Sequence, residues 1–167
     1  MDEIYIKLDS SISYDWIPKN TKKLVKINRS TQKECVIGAV LPDSGKTFYT
    51  QSEKINSHVV STFLKEFSEN YKEKHNVIIL DNTSYHISQN TKDFPIPENI
   101  TLFYLPRYSP DLNPIERLWK YLRDNCFNNK FFENKLDLKI TAYNSLRKLQ
   151  EEKDLVKNIC GNYRKLL

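Results

Sequence analysis

The sequence predicts an α/β domain with a mixed sheet, antiparallel in its first half and parallel in its second, with helices on both faces. Three observations carry this. Short runs that alternate apolar and polar residues, or are rich in β-branched ones, fill the first third of the chain. The hydrophobic period then becomes helical from Asn56 to Lys74. After that a wholly apolar run reads as a strand, and the remaining elements give the order β-β-β-α-β-α-β-α-α.

The first strand is marked by Ile4, Ile6 and Leu8, which alternate with Tyr5 and Lys7. Thr21 to Arg29 is basic, with Leu24, Val25 and Ile27 inside it. Cys35-Val-Ile-Gly-Ala-Val-Leu41 is the second strand, Pro42-Asp-Ser-Gly45 a turn, and Lys46 to Gln51 the returning arm of a hairpin. Val59, Val60, Phe63, Leu64, Phe67 and Tyr71 form the apolar stripe of the first helix. Val77 to Leu80 lacks alternation, which predicts a strand buried on both faces and ending in Asp81. A short helix is expected after His86, and Ile100 to Leu105 is a strand stopped by Pro106.

Prolines at 106, 110 and 114 exclude regular structure from that stretch, and a helix then starts sharply. Asn113 is its N-cap and Pro114 takes the first helical position. Glu116 lies three residues after the cap, as in a capping box. Ile115, Leu118, Trp119, Leu122 and Cys126 form its apolar stripe. Two further helices cover Glu133 to Gln150 and Glu152 to Cys160, with Gly161 as the stop. The chain has no internal repeat, low-complexity tract or interdomain linker.

With 167 residues, 39% of them hydrophobic, the chain suits one domain with one sizeable core. No apolar run is long enough to span a bilayer, and Met1 is followed by acids rather than by a signal sequence. Cys35, Cys126 and Cys160 form no C-x-x-C pair, which argues against structural zinc and for a reducing cytoplasm. The net charge of +5 suits a polyanionic partner, and a solvated Lys-rich surface accounts for it equally well.

Three acids stand out by position. Asp81 follows the end of a buried strand, where open α/β sheets bind ligands, or where an Asx-turn would sit. A capping box accounts for Glu116, and a solvated chain end for Asp2. Their setting is more specific. Asp81 and Glu116 are separated by 34 residues. They stand within Leu80-Asp-Asn-Thr-Ser-Tyr-His86 and Tyr104-Leu-Pro-Arg-Tyr-Ser-Pro-Asp-Leu-Asn-Pro-Ile-Glu-Arg-Leu-Trp119. Met1-Asp-Glu3 is followed by Tyr14-Asp-Trp-Ile-Pro-Lys19. These blocks and this spacing resemble the catalytic domain of bacterial insertion-sequence transposases of the mariner-like D-D-E superfamily (the insertion-sequence 630 family). The similarity runs from Asp2 to about residue 150.

The resemblance implies a ribonuclease H-like fold and DNA transposition by metal-dependent endonuclease and strand-transfer chemistry. It implies that Asp2, Asp81 and Glu116 are the catalytic carboxylates and hold two Mg²⁺ ions, with Mn²⁺ as a substitute. Hard oxygen ligands suit Mg²⁺, and an ion pair can serve both the attacking and the leaving oxygen. Asn82, His86 and Asn113 are candidate supports of the site. Lys19, Lys22, Lys23, Arg107, Lys120 and Arg123 are candidate DNA contacts, with Tyr108 beside Arg107. Trp16 and Trp119 are expected to pack.

The implied partners are double-stranded DNA, as element ends and target, and either a second copy or a subunit bearing a helix-turn-helix. The expected location is the bacterial cytoplasm, at the nucleoid, with no membrane. Residues 1–167 read as a single catalytic domain without the family's N-terminal helix-turn-helix, as a second reading frame or a truncated copy would be. Asp2 is then expected at a fraying end, and the chain alone to cut poorly. Two other readings stay open: another ribonuclease H-like nuclease, and a remnant that binds DNA or partner subunits without catalysis.

Overall fold

The computed structural model describes residues 1–9, 13, 16–22, 24–26, 28–81 and 95–161. β1 (Asp2–Lys7), β2 (Lys33–Leu41) and β3 (Lys46–Ser52) form an antiparallel sheet in that order. β4 (Asn76–Leu80) and β5 (Ile100–Tyr104) pair in parallel. The Met1 ammonium donates to Ile79 O at 2.7 Å and ties β1 to β4. In chain order α1 (Ser57–Asn70) comes between β3 and β4, capped by the Asn56 side chain, which accepts from Val59 N. After β5 come a 3₁₀ turn (Pro110–Leu112), α2 (Pro114–Leu122), a π-helical turn (Arg123–Phe127), α3 (Lys135–Glu151) and α4 (Lys153–Cys160).

Alternation along the strands builds two cores. Ile4, Ile6 and Val36 pack with Ile115, Leu118, Trp119 and Leu122 of α2 and with buried residues of α3 and α4. Ile37 and Ala39, on the opposite face, pack with Val60, Phe63, Leu64 and Phe67 of α1 and with Ile78 and Leu80. The mixed sheet with helices on both faces is therefore as expected. Each fully buried large aliphatic or aromatic side chain contributes about 1.5–3 kcal/mol, so α2, with four such residues in nine, is anchored along its length.

Three local expectations are corrected. β4 is buried on one face only: Ile78 and Leu80 lie under α1, whereas Val77 and Ile79 are exposed. Four successive apolar residues conceal which face is packed. The outer face, with Phe103, lines an apolar groove of about 690 Å³ that also meets Met1 and Leu41. The stripe of α2 does not stop at Cys126, which packs half-buried against the same core, but runs on to buried Phe127, because the π turn inserts a residue, seen in Asn128 N donating to Arg123 O at 2.7 Å. Trp16 does not pack, being 99% exposed. The helix expected after His86 falls outside the described residues.

Candidate active site

Asp2 opens β1, and the strand's period of two puts it on the same face as Ile4 and Ile6, toward α2. Asp81 follows β4 directly. The end of that strand is held by Leu105 N, which donates to Leu80 O at 2.8 Å. Glu116 lies in the first turn of α2, where the helix dipole favours negative charge. Asp2, Asp81 and Glu116 line one cleft of about 380 Å³, walled by Leu105 to Pro110 and by Asn113.

The capping box expected at Asn113 and Glu116 does not form. The Asn113 N–H donates to Pro110 O at 2.9 Å and is not reached by Glu116. The Asn113 side chain makes no cap bond and instead donates from Nδ2 to Met1 O at 3.2 Å. Glu116 is thereby left to the cleft, with Arg123 Nη2 4.0 Å from its Oε2. Asn113 thus stands at the N-cap position of α2 and on the cleft wall, and its side chain holds the start of β1.

Asp2 is not at a fraying end. It is buried, and its Oδ2 accepts a hydrogen bond from Trp119 Nε1 at 3.0 Å. Burial pushes its carboxyl up to about 7, and the charge of Glu116 adds to the effect. The backbone N–H of Glu3 opposes it, while the charges of Glu3 and Asp81 raise it further. A buried acid among other acids is costly unless a cation compensates it. Three carboxylates are also a donor set suited to a hard divalent cation. Like charges in one cleft repel, and the three stand open: among the described residues, no three His, Cys, Asp or Glu side chains close around a single point.

The other candidates separate by position. Arg107 and Tyr108 stand on the cleft wall, both exposed, with Tyr108 in a left-handed backbone conformation at φ 61°. Lys120 and Arg123 line a groove that adjoins the cleft and shares Pro110, Asn113 and Glu116 with it. Lys19 and Lys22 are exposed and line neither. Asn82, His86 and Lys23 lie outside the described residues. Trp119 is fully buried, as expected, and its hydrogen bond to Asp2 was not read from the sequence. The available signal was its place on α2, three residues after Glu116, on the face that meets β1.

Residues 1–139 match the DDE superfamily endonuclease family. The chain belongs to that family. Among its relatives, an uncharacterized protein of Sinorhizobium fredii (y4pE/y4sA) is 34% identical over 104 residues, 62% of this chain and 75% of that protein. An uncharacterized 39 kDa protein of insertion element IS630 from Shigella sonnei is 30% identical over 131 residues, 77% of this chain and 38% of the relative. The Tc3 transposase of Caenorhabditis elegans is 37% identical over 75 residues, 42% of this chain and 23% of the transposase. The chain thus spans well under half the length of the last two.

Among solved structures, the Mos1 strand transfer complex matches with a TM-score of 0.65 at 13% identity, over 98% of this chain and 50% of that one. The Mos1 mariner paired end complex with Mn gives the same score and identity over 96% and 52%. The DDE endonuclease fold here is therefore the ribonuclease H-like one implied by the sequence. Among the described residues, no helix is long and apolar enough to cross a membrane.

Proposed function

We propose that this chain is the catalytic domain of a transposase, a DNA endonuclease and strand transferase whose Asp2, Asp81 and Glu116 hold two divalent cations, Mg²⁺ or Mn²⁺. The observation that carries the reading is the meeting of these acids, from β1, the end of β4 and the first turn of α2, in one cleft. Cations bound there would supply activation of the attacking oxygen and charge neutralisation at the leaving one.

The chain's own residues do the rest. Asp2 offers a fixed carboxylate and Glu116 a half-exposed one on the other wall. Arg107, Lys120 and Arg123 give a path of positive charge from the cleft along the adjoining groove. Such a path positions phosphates without reading sequence. The nucleophile is water in cleavage and a DNA 3′-hydroxyl in joining. The substrates are duplex element ends and a target duplex. The protein acts as a homodimer or with a helix-turn-helix subunit that selects the ends, and residues 1–167 serve as one catalytic domain.

Nicking and strand transfer on duplexes carrying the element's ends, with Mg²⁺, Mn²⁺ or EDTA, test the reading. Cutting that needs the cation and disappears in Asp81→Asn and Glu116→Gln supports it. Cation-independent cutting, or cutting confined to RNA–DNA hybrids, overturns it.

A further inference from the structure

Trp119 is fully buried, and its indole N–H needs an acceptor. Any backbone carbonyl would satisfy packing. The acceptor is instead Oδ2 of Asp2, 3.0 Å away, on a carboxylate that lines the cleft. Gly38 bears independently on the same pair. A glycine inside a nine-residue strand weakens it and leaves nothing to pack. Gly38 is the cross-strand partner of Asp2. A Cβ at that position would lie 2.7 Å from Cη2 of Trp119 and 2.7 Å from Cδ1 of Tyr49. β2 therefore forgoes a side chain at the point where the indole passes beneath it. Asn113 adds a second tie between the same helix and strand, through Met1 O. Between Asn113 and Trp119, α2 carries Glu116.

We propose that Trp119 is a positioning residue for the catalytic centre. It engages Oδ2 of Asp2 and so fixes how that carboxylate is presented to the cleft it lines. It also couples that orientation to the helix that carries Glu116, so that two of the three carboxylates are set by one rigid element. Gly38 is the space this device requires. The inference rests on the reading of the cleft as the catalytic site.

Trp119→Phe keeps an aromatic ring and removes the donor. Leu146→Ala, in the same core but outside the cleft, provides a packing loss that does not touch Asp2. Mn²⁺ affinity is measured by calorimetry for both, beside their melting temperatures. Trp119→Phe is expected to lose roughly 10- to 100-fold in Mn²⁺ affinity, the usual cost of removing a hydrogen-bond partner from a metal-binding carboxylate, while Leu146→Ala keeps the parent value.

A second readout leaves residue 119 intact. In Trp16→Phe protein the indole Nε1–H signal belongs to Trp119 alone and is expected to shift as Mg²⁺ is added. It decides the matter should Trp119→Phe fail to fold. A Trp119→Phe affinity equal to that of Leu146→Ala, or an indole signal unmoved by saturating Mg²⁺, overturns the inference while the site reading stands. Absence of Mn²⁺ binding by the parent protein overturns the site reading, and this inference with it.

Discussion

Asp2 and Glu34 are both buried carboxylates of the same antiparallel sheet, at 8% and 1% exposure, yet their surroundings have opposite character. Burial raises the pKa of each and is the largest cause in both. Around Glu34 the next contributions come from Lys139 and Lys135, which pull it back down, with Glu53 opposing. Around Asp2 the carboxylates of Glu116, Glu3 and Asp81 raise it and the Glu3 backbone N–H lowers it, while the one cation beside it, the Met1 ammonium, is itself driven toward neutrality by burial. Glu34 is thus partly compensated by the protein itself, whereas Asp2 awaits a compensating charge from outside. Burial of an acid does not mark a site by itself; the sign of its neighbours does.

The largest expected effect tests that contrast. Glu116→Gln and Asp81→Asn should each reduce cation-dependent cutting by more than about 100-fold, since loss of a ligand should exceed the loss of a ligand's partner. Glu34→Gln, which removes the other buried carboxylate of the β1–β3 sheet, should stay within about threefold of the parent in single-turnover cutting, as expected of a substitution away from the site. An equal loss in Glu34→Gln and Glu116→Gln would break the comparison.

The pH dependence of stability sharpens it. A carboxyl whose pKa is raised on folding binds more protons in the folded state, so stability falls as pH rises between the unfolded and folded values. For Asp2 that window runs from 3.8 to about 7, and the loss is on the order of a few kcal/mol. The cation-free protein should therefore melt at progressively lower temperature from pH 4 to about pH 6; between pH 6 and pH 8 the Met1 ammonium, lowered from 8.0 to about 6 by burial, contributes with the opposite sign and offsets the fall. Saturating Mn²⁺ binds the ionised form and should flatten or reverse the slope, and EDTA should restore it. Glu34 contributes with the same sign, so the fall below pH 6 that survives Mn²⁺ is assigned to it and should disappear in Glu34→Gln.

What the sequence made legible, and what it hid, follows from the range of each interaction. β1, the β2–β3 hairpin and α1 were readable because their patterns are local and periodic. Asp81 and Glu116 stand out in the sequence because the blocks around them are specific, and the fold brings both to one cleft. Asn113 does occupy the N-cap position with Pro114 after it, but the capping box that Asn-Pro-Ile-Glu suggests over four residues does not form. Its amide is claimed by Met1 O, 112 residues away. The outer face of β4 was misread because burial depends on what packs over a strand, not on its composition. Gly38 looked like any glycine in an apolar run. Its reason, the passage of Trp119 toward Asp2, exists only once β1, β2 and α2 meet.

The smallest expected effects distinguish two sets of surface cations. Arg147 and Lys148 pair with Glu151 and with the cap residue Glu152, each four residues on, at 3.2 and 3.7 Å; Arg147, Lys148 and Glu151 are exposed and Glu152 is partly so. Such pairs contribute at most a few tenths of a kcal/mol, and these residues line no part of the cleft or its adjoining groove. Arg147→Gln and Lys148→Gln should leave both melting temperature and DNA affinity essentially unchanged. Arg107, Lys120 and Arg123 are also exposed, but they lie along the proposed path of the phosphates. Lys120 is partly committed to Asp124 at 3.3 Å and Arg123 only weakly to Glu116 at 4.0 Å. Each of the three substituted by Gln should reduce the slope of log affinity against log salt by about one, because one phosphate fewer is neutralised on binding. The weakening should be uniform across DNA sequences, since cations that meet phosphates carry no base information. A salt slope that falls for Arg147→Gln, or that stays unchanged for Arg107→Gln, would place the DNA on another face of the molecule while leaving the carboxylate cleft where it is.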